Sequence, residues 1–220
     1  MPRASTVKQV LSLVTFVILL LSLGAAGTSL GLIRTNTNDG VTCYFFITYA
    51  QAMNSSLVDY NVPTCKLSVA SATIATICLA LLTAIELISV LFQINIKMLI
   101  ANIIQVGFFI GSILFLFITM VVVSAGWGKT CATYKNITSS GGTPRSFFNI
   151  ECTGPQFFRG ELLRGPYQPN GTEIITAAVC AGFGVFLTSG AFSLLFMQQL
   201  FRVRPQNQRF QSDGHEIALK

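Results

Sequence analysis

Four long stretches of the chain are almost free of Asp, Glu, Lys and Arg: residues 9–33, 67–93, 98–126 and 174–201. Between them the pattern turns polar. Each stretch reaches or exceeds the ~20 apolar residues that a helix needs to cross a hydrocarbon layer of roughly 30 Å. None alternates strictly, and each is too long for a barrel strand of about 9–11 residues. Lipid offers no hydrogen-bond partners, so a spanning segment must satisfy its own backbone, as a helix does. The pattern therefore predicts an all-α membrane fold, one domain over residues 1–220 built as a four-helix bundle. Long connections are predicted at 34–66 and 127–173. A tight link, "FQINIKM", joins helices two and three, and a tail follows at 202–220.

Composition agrees. Hydrophobic residues make up 52% of the chain and charged residues 10%, against about a quarter charged in a soluble domain. Little mass is left for a soluble catalytic domain. The net charge of +6 does not point to nucleic acid, because the basic residues are scattered over helix ends and loops. The first span, with Arg3 and Lys8 ahead of it and Gly24, Ala25, Ala26 and Gly27 near its end, has the alternative of a cleaved signal peptide. Its apolar run outlasts the roughly 7–15 residues of a signal core, which favours a retained helix.

Four spans place both termini and the tight link on one side and both long connections on the other. Three glycosylation tripeptides, at Asn54, Asn136 and Asn170, all fall in the long connections. So do four cysteines, Cys43, Cys65, Cys131 and Cys152, whereas Cys78 and Cys180 lie mid-helix and read as small apolar residues. This assigns the connections to an extracellular or lumenal face. Both termini are then cytosolic, and the chain sits in the plasma membrane or a secretory-pathway membrane. An even number of loop cysteines on an oxidising face predicts two disulfides. Three pairings are open; Cys43–Cys65 and Cys131–Cys152 are preferred, because each closes a loop anchored by helices. Each would remove loop entropy worth roughly 3 kcal/mol.

The 14 lysines and arginines divide evenly between the two sides, but the terminal side is shorter and so denser in basic charge. Lys97 sits in the tight link, and Arg202, Arg204 and Arg209 follow the last span as a basic flank. The tail "RVRPQNQRFQSDGHEIALK" is polar, interrupted by proline and expected to be disordered. Trp127 and Tyr134 are placed at the membrane interface, where aromatic rings concentrate. The aromatics Tyr44, Phe45, Phe46, Tyr49 and Tyr60 predict a small hairpin or short helix packed on the helix ends or the bilayer surface, with a partner-binding patch as the alternative.

Membrane helices associate through small residues and a few polar bonds. Candidates are Gly27-x-x-x-Gly31, Gly107-x-x-x-Gly111, and the stripe Ala178, Gly182, Ser189 and Ser193. Their expected role is packing within the bundle, with homo-oligomerisation as the alternative. Glu86 is the one acid inside a span, where a charge costs at least ~2.5 kcal/mol near the centre. Gln105 lies at similar depth across the tight link. The two are expected to hydrogen-bond and fix the register of helices two and three. The single histidine, His215, lies in the tail. No metal cluster with histidine, no Ser-His-acid set and no phosphate-binding Gly-x-x-x-x-Gly-Lys-Ser/Thr is therefore written in the chain. The expectation is a non-enzyme without metal or cofactor.

The runs "CYFFITYAQAMNSS", "TCKLSVASATIATICLALL", "VVVSAGWGKTC" and "NIEC" resemble the transmembrane protein 179 family, its B-type member in particular, over about residues 41–153. The stretch 153–172, with Asn170, departs from that pattern. The resemblance implies a multi-pass membrane protein and says more about topology than activity. The functional expectation is a non-catalytic glycoprotein working in the bilayer through contacts with other membrane proteins. A small channel or transporter using Glu86 and Gln105 is the alternative.

Overall fold

A computed structural model describes residues 3–38, 42–43, 47–52, 55–60, 62–92, 99–138 and 170–217, with side chains described over 9–37, 63–91, 103–132 and 170–197. Four helices dominate: α1 (Arg3–Thr35), α2 (Val62–Phe92), α3 (Leu99–Thr138) and α4 (Gly171–Ile217). Each contains a segment long and apolar enough to cross a membrane, at Gln9–Thr35, Pro63–Leu91, Ile103–Ala132 and Gly171–Met197. The chain is thus an integral membrane protein by its architecture.

Local chemistry explains the helix ends. Asn36 closes α1, donating its backbone N–H to Ile33 O at 3.2 Å and its side-chain Nδ2 to Leu32 O at 3.0 Å. Pro63 stands in the first turn of α2, where its missing N–H has no intrahelical partner to lose. Asn170 caps α4, its Oδ1 accepting from Thr172 N at 3.2 Å. Glu173 occupies the first turn of that helix, where the dipole favours an anion.

The helices pack in a ring, α1 on α2, α2 on α3, α3 on α4 and α4 on α1. The buried positions step by three and four along every helix. In α1 they are Thr15, Leu19, Ser22, Ala26, Ser29, Ile33 and Asn36. In α2 they include Cys65, Ser68, Ala72, Ala75, Leu79, Leu82 and Glu86, and in α3 Phe109, Ser112, Leu116, Thr119, Val123 and Thr130. In α4 they include Ile174, Ala177, Ala181, Gly184, Thr188 and Ala191. A mean step of about 3.5 is the repeat of left-handed supercoiled packing. Bonds between neighbours run antiparallel: Ser22 with Thr188, Ser29 with Ala177, Ser71 with Thr119, and Glu86 with Gln105.

One cluster fills the end from which the long connections leave, with Ile33, Cys65, Val123, Trp127 and Ile174. A second fills the middle and the opposite end, with Leu19, Leu79, Leu82, Phe109 and Leu116. Phe109 meets Phe192 there, ring centroids 5.7 Å apart and tilted by 49°. The outside is apolar: Phe186 is 75% exposed and Leu91 66%. A water-facing surface would not carry a continuous coat of this kind, while lipid favours it.

Several boundaries differ from the sequence reading. α2 starts at Val62, so Cys65 is helical, and α3 runs past 126 to Thr138, so Cys131 is helical too. α4 continues to Ile217 through the segment expected to be disordered. Extending a formed helix gains one hydrogen bond per residue ordered, and the Gln and Arg residues after Pro205 are good helix formers. Trp127 is 6% exposed and belongs to the core rather than to an interfacial belt.

In the first long connection, β1 (Thr37–Asn38) pairs with β2 (Thr42–Cys43), and β3 (Ile47–Ala52) forms a hairpin with β4 (Ser55–Tyr60). Its register pairs Tyr49 with Val58 and Ala52 with Ser55, and β3 lies against α3. The hairpin is thus one of the two forms anticipated for the aromatic segment.

Candidate functional site

Polar side chains converge at three levels of the bundle. Nearest the tight link, Gln105 Nε2 donates to Glu86 Oε1 at 2.8 Å. Glu86 is 5% exposed. It lies seven residues inside the end of the apolar run 67–93, roughly 10 Å along the helix at 1.5 Å per residue. The bond joins α2 to α3 at the register that the sequence reading anticipates.

In mid-membrane the contacts are hydroxyls. Ser22 Oγ and Thr188 Oγ1 are 2.7 Å apart, and Ser22 Oγ also donates to Gly184 O at 3.2 Å. Ser29 Oγ donates to Ala177 O at 2.8 Å, and Ser71 Oγ meets Thr119 Oγ1 at 2.8 Å. Others, such as Thr15, Thr83 and Ser112, bond back to the preceding turn of their own helices. These residues are small enough to let backbones approach, and each hydroxyl finds a partner in a medium without water.

At the connection end a polar joint ties α1 to α4. Asn36 Nδ2 and Thr35 Oγ1 donate to Glu173 Oε2 at 3.0 and 3.1 Å, and Asn170 Nδ2 donates to Glu173 Oε1 at 3.1 Å. Asn170 N donates to Asn36 Oδ1 at 3.1 Å. Asn36 is 3% exposed, while Thr35 is exposed and Asn170 and Glu173 are half-buried, so the network lies at the edge of the packed interior. Ser22, Ser29, Asn36, Thr188 and Glu173 were not singled out from the sequence. The signal was present as a seven-residue spacing of small polar residues, Thr15, Ser22, Ser29 and Asn36.

The glycine motifs are a correction. A Cβ built at Gly27, Gly31, Gly107 or Gly111 would meet nothing within 4 Å. They do not pack the bundle. Gly31 lies nine residues from Ser22, two and a half turns of helix, and so on the opposite side of α1. The close approaches fall at Gly184, where an added Cβ would stand 3.2 Å from Leu116 Cδ1, and at Gly182, 3.0 Å from Met120 Sδ. The expected α4 stripe is rotated by one residue. Ala177, Ala181 and Gly184 face inward, Ala178, Gly182 and Ser189 flank them, and Ser193 is exposed.

Cys65 and Cys131 are buried in the connection-end cluster and disulfide-bonded, while Cys78 and Cys180 are free thiols. Cys43 is in β2, Asn136 is in the last turns of α3, and the side chains of both lie outside the described residues. Asn54 and Cys152 also lie outside them. Among the described residues no group of three or more His, Cys, Asp or Glu is arranged to hold a metal ion.

Fold and contacts together define an antiparallel four-helix membrane bundle held by hydroxyl and carboxamide bonds at heptad spacing. Comparison with protein-family models, with curated proteins and with solved structures returns no match.

Proposed function

We propose that this chain is a non-catalytic multi-pass membrane glycoprotein that acts through protein–protein contacts, as an accessory subunit, a membrane organiser, or a junction or vesicle component. One observation carries the reading. The space between the helices is filled by the chain's own side chains: Leu19, Leu79, Leu82, Phe109 and Leu116 are each at most 1% exposed. Among the described residues a single copy therefore leaves no axial path for a solute, and the surfaces left for work are the connections and the lipid-facing helix faces.

The long connections lie on the extracellular or lumenal side in this reading, with both termini cytosolic. Their loops are closed by Cys43–Cys65 and Cys131–Cys152. Non-reducing peptide mapping checks the pairing, and a Cys43–Cys131 peptide overturns it. Kinship with the transmembrane protein 179 family belongs to the same proposal. Cross-linking in native membranes followed by mass spectrometry should capture a reproducible heterologous partner.

The buried Glu86 favours one other reading, a small channel or transporter assembled from several copies around such polar pairs. Solute or ion flux in liposomes holding the pure protein, abolished by Glu86→Ala, would replace the first reading with this one.

A further inference from the structure

We infer that Asn170, although it heads an Asn-Gly-Thr tripeptide, carries no glycan and instead pins the joint from which both long connections spring. A glycan would be attached through Nδ2, and one of that group's two N–H bonds is given to Glu173 Oε1 at 3.1 Å. Every other polar group of the residue is also engaged. Its Oδ1 caps Thr172 N, its N–H donates to Asn36 Oδ1, and its carbonyl accepts from Ile174 N at 3.2 Å. Asn36, against which it rests, is 3% exposed, so the α1–α4 contact closes one side of the residue.

Depth adds a second reason. The apolar run of α4 starts at Ile174, four residues after Asn170. That is about 6 Å of helix at 1.5 Å per residue. Asn170 therefore stands within about one turn of the apolar segment, held at the cap of a long helix. A glycosylating enzyme needs an acceptor on a pliable chain clear of the bilayer. The joint also gives Asn170 a positive role. The first connection leaves at Asn36 and the second returns at Asn170, so bonding these two residues locks the roots of both connections together.

The inference rests on the proposed sidedness only for its glycan arm. The test uses the full chain made in glycosylating cells, with mobility before and after glycosidase and thermal unfolding in detergent. Thr172→Ala destroys the tripeptide and keeps Asn170; Asn170→Ala removes both. Thr172→Ala should retain every glycosidase-sensitive step of the wild type. Asn170→Ala should lower the midpoint by about 2–4 °C, the shift for losing one capping side chain in a chain of this size. Loss of a step in Thr172→Ala, or an unchanged midpoint in Asn170→Ala, overturns the inference. A wild type without any glycosidase-sensitive step removes the support that glycans lend to the sidedness, and the melting comparison still decides the role of Asn170.

Discussion

Single side chains in this bundle are decided by what replaces water. Glu86 is held inside a span with Gln105 donating to it. Membrane hydrogen bonds average ~0.6 kcal/mol, with the best near ~1.7, so a double-mutant cycle of Glu86→Ala and Gln105→Ala should give a coupling of about 1 kcal/mol. Additive effects in unfolding titrations would mean that the bond contributes nothing. Glu86→Gln should leave surface expression intact, since it keeps a polar group opposite Gln105. A collapse would show that a carboxylate is required. Trp127 makes a contrasting case. At 6% exposure among Ile33, Val123 and Ile174, its replacement by Ala should cost about 3 kcal/mol or more through the cavity left behind. A lipid-facing Trp would cost far less.

Helices here are matched by spacing rather than by hydrophobicity, which is similar on all their faces. The three-and-four rhythm of buried positions puts Ser22, Ser29, Ala177, Gly184 and Thr188 in the α1–α4 seam. The lipid side of α1 is left to Gly24, Gly27 and Gly31. Substitutions should separate the two faces. Gly184→Leu drives side-chain atoms into Leu116 and the α1 backbone near Ser22 O, 3.9 Å from an added Cβ, and should destabilise the bundle by about 1–3 kcal/mol. Gly27→Leu meets nothing within 4 Å and should leave bundle stability within about 0.5 kcal/mol. Melting of the two variants in the same detergent compares them directly. Equal destabilisation would mean that α1 packs through its glycine face after all.

For the molecule as a whole, the proposed function leaves recognition to the extramembrane segments and to helix faces that meet lipid, because the described residues fill the interior between the helices. Purified protein in liposomes should therefore conduct no ions or small solutes above background. Replacing the β3–β4 hairpin with a short Gly/Ser linker should reduce cross-linking to a partner while leaving the helices folded by circular dichroism. Partner capture that survives that replacement would move the contact to the lipid-facing helix faces.

Hydropathy along the chain was enough to read four spans, their antiparallel order and the Glu86–Gln105 pair. These depend on length, on the poverty of charge and on depth measured from a short link, all of which are local quantities. Helix rotation was not read correctly. Gly27-x-x-x-Gly31 and the true seam at Ser22 and Ser29 are both rows of small residues, and only the positions of the two partner helices decide which side closes. The same holds for Trp127, drawn inside by Ile33, Cys65 and Ile174 from other elements. It holds for Asn170, whose tripeptide advertises a modification while its atoms are taken by Asn36 and Glu173, one of them far off in the chain. In lipid the burial of apolar surface does not discriminate among helix faces. Contact geometry and hydrogen-bond satisfaction set the outcome, and both arise only when distant segments meet.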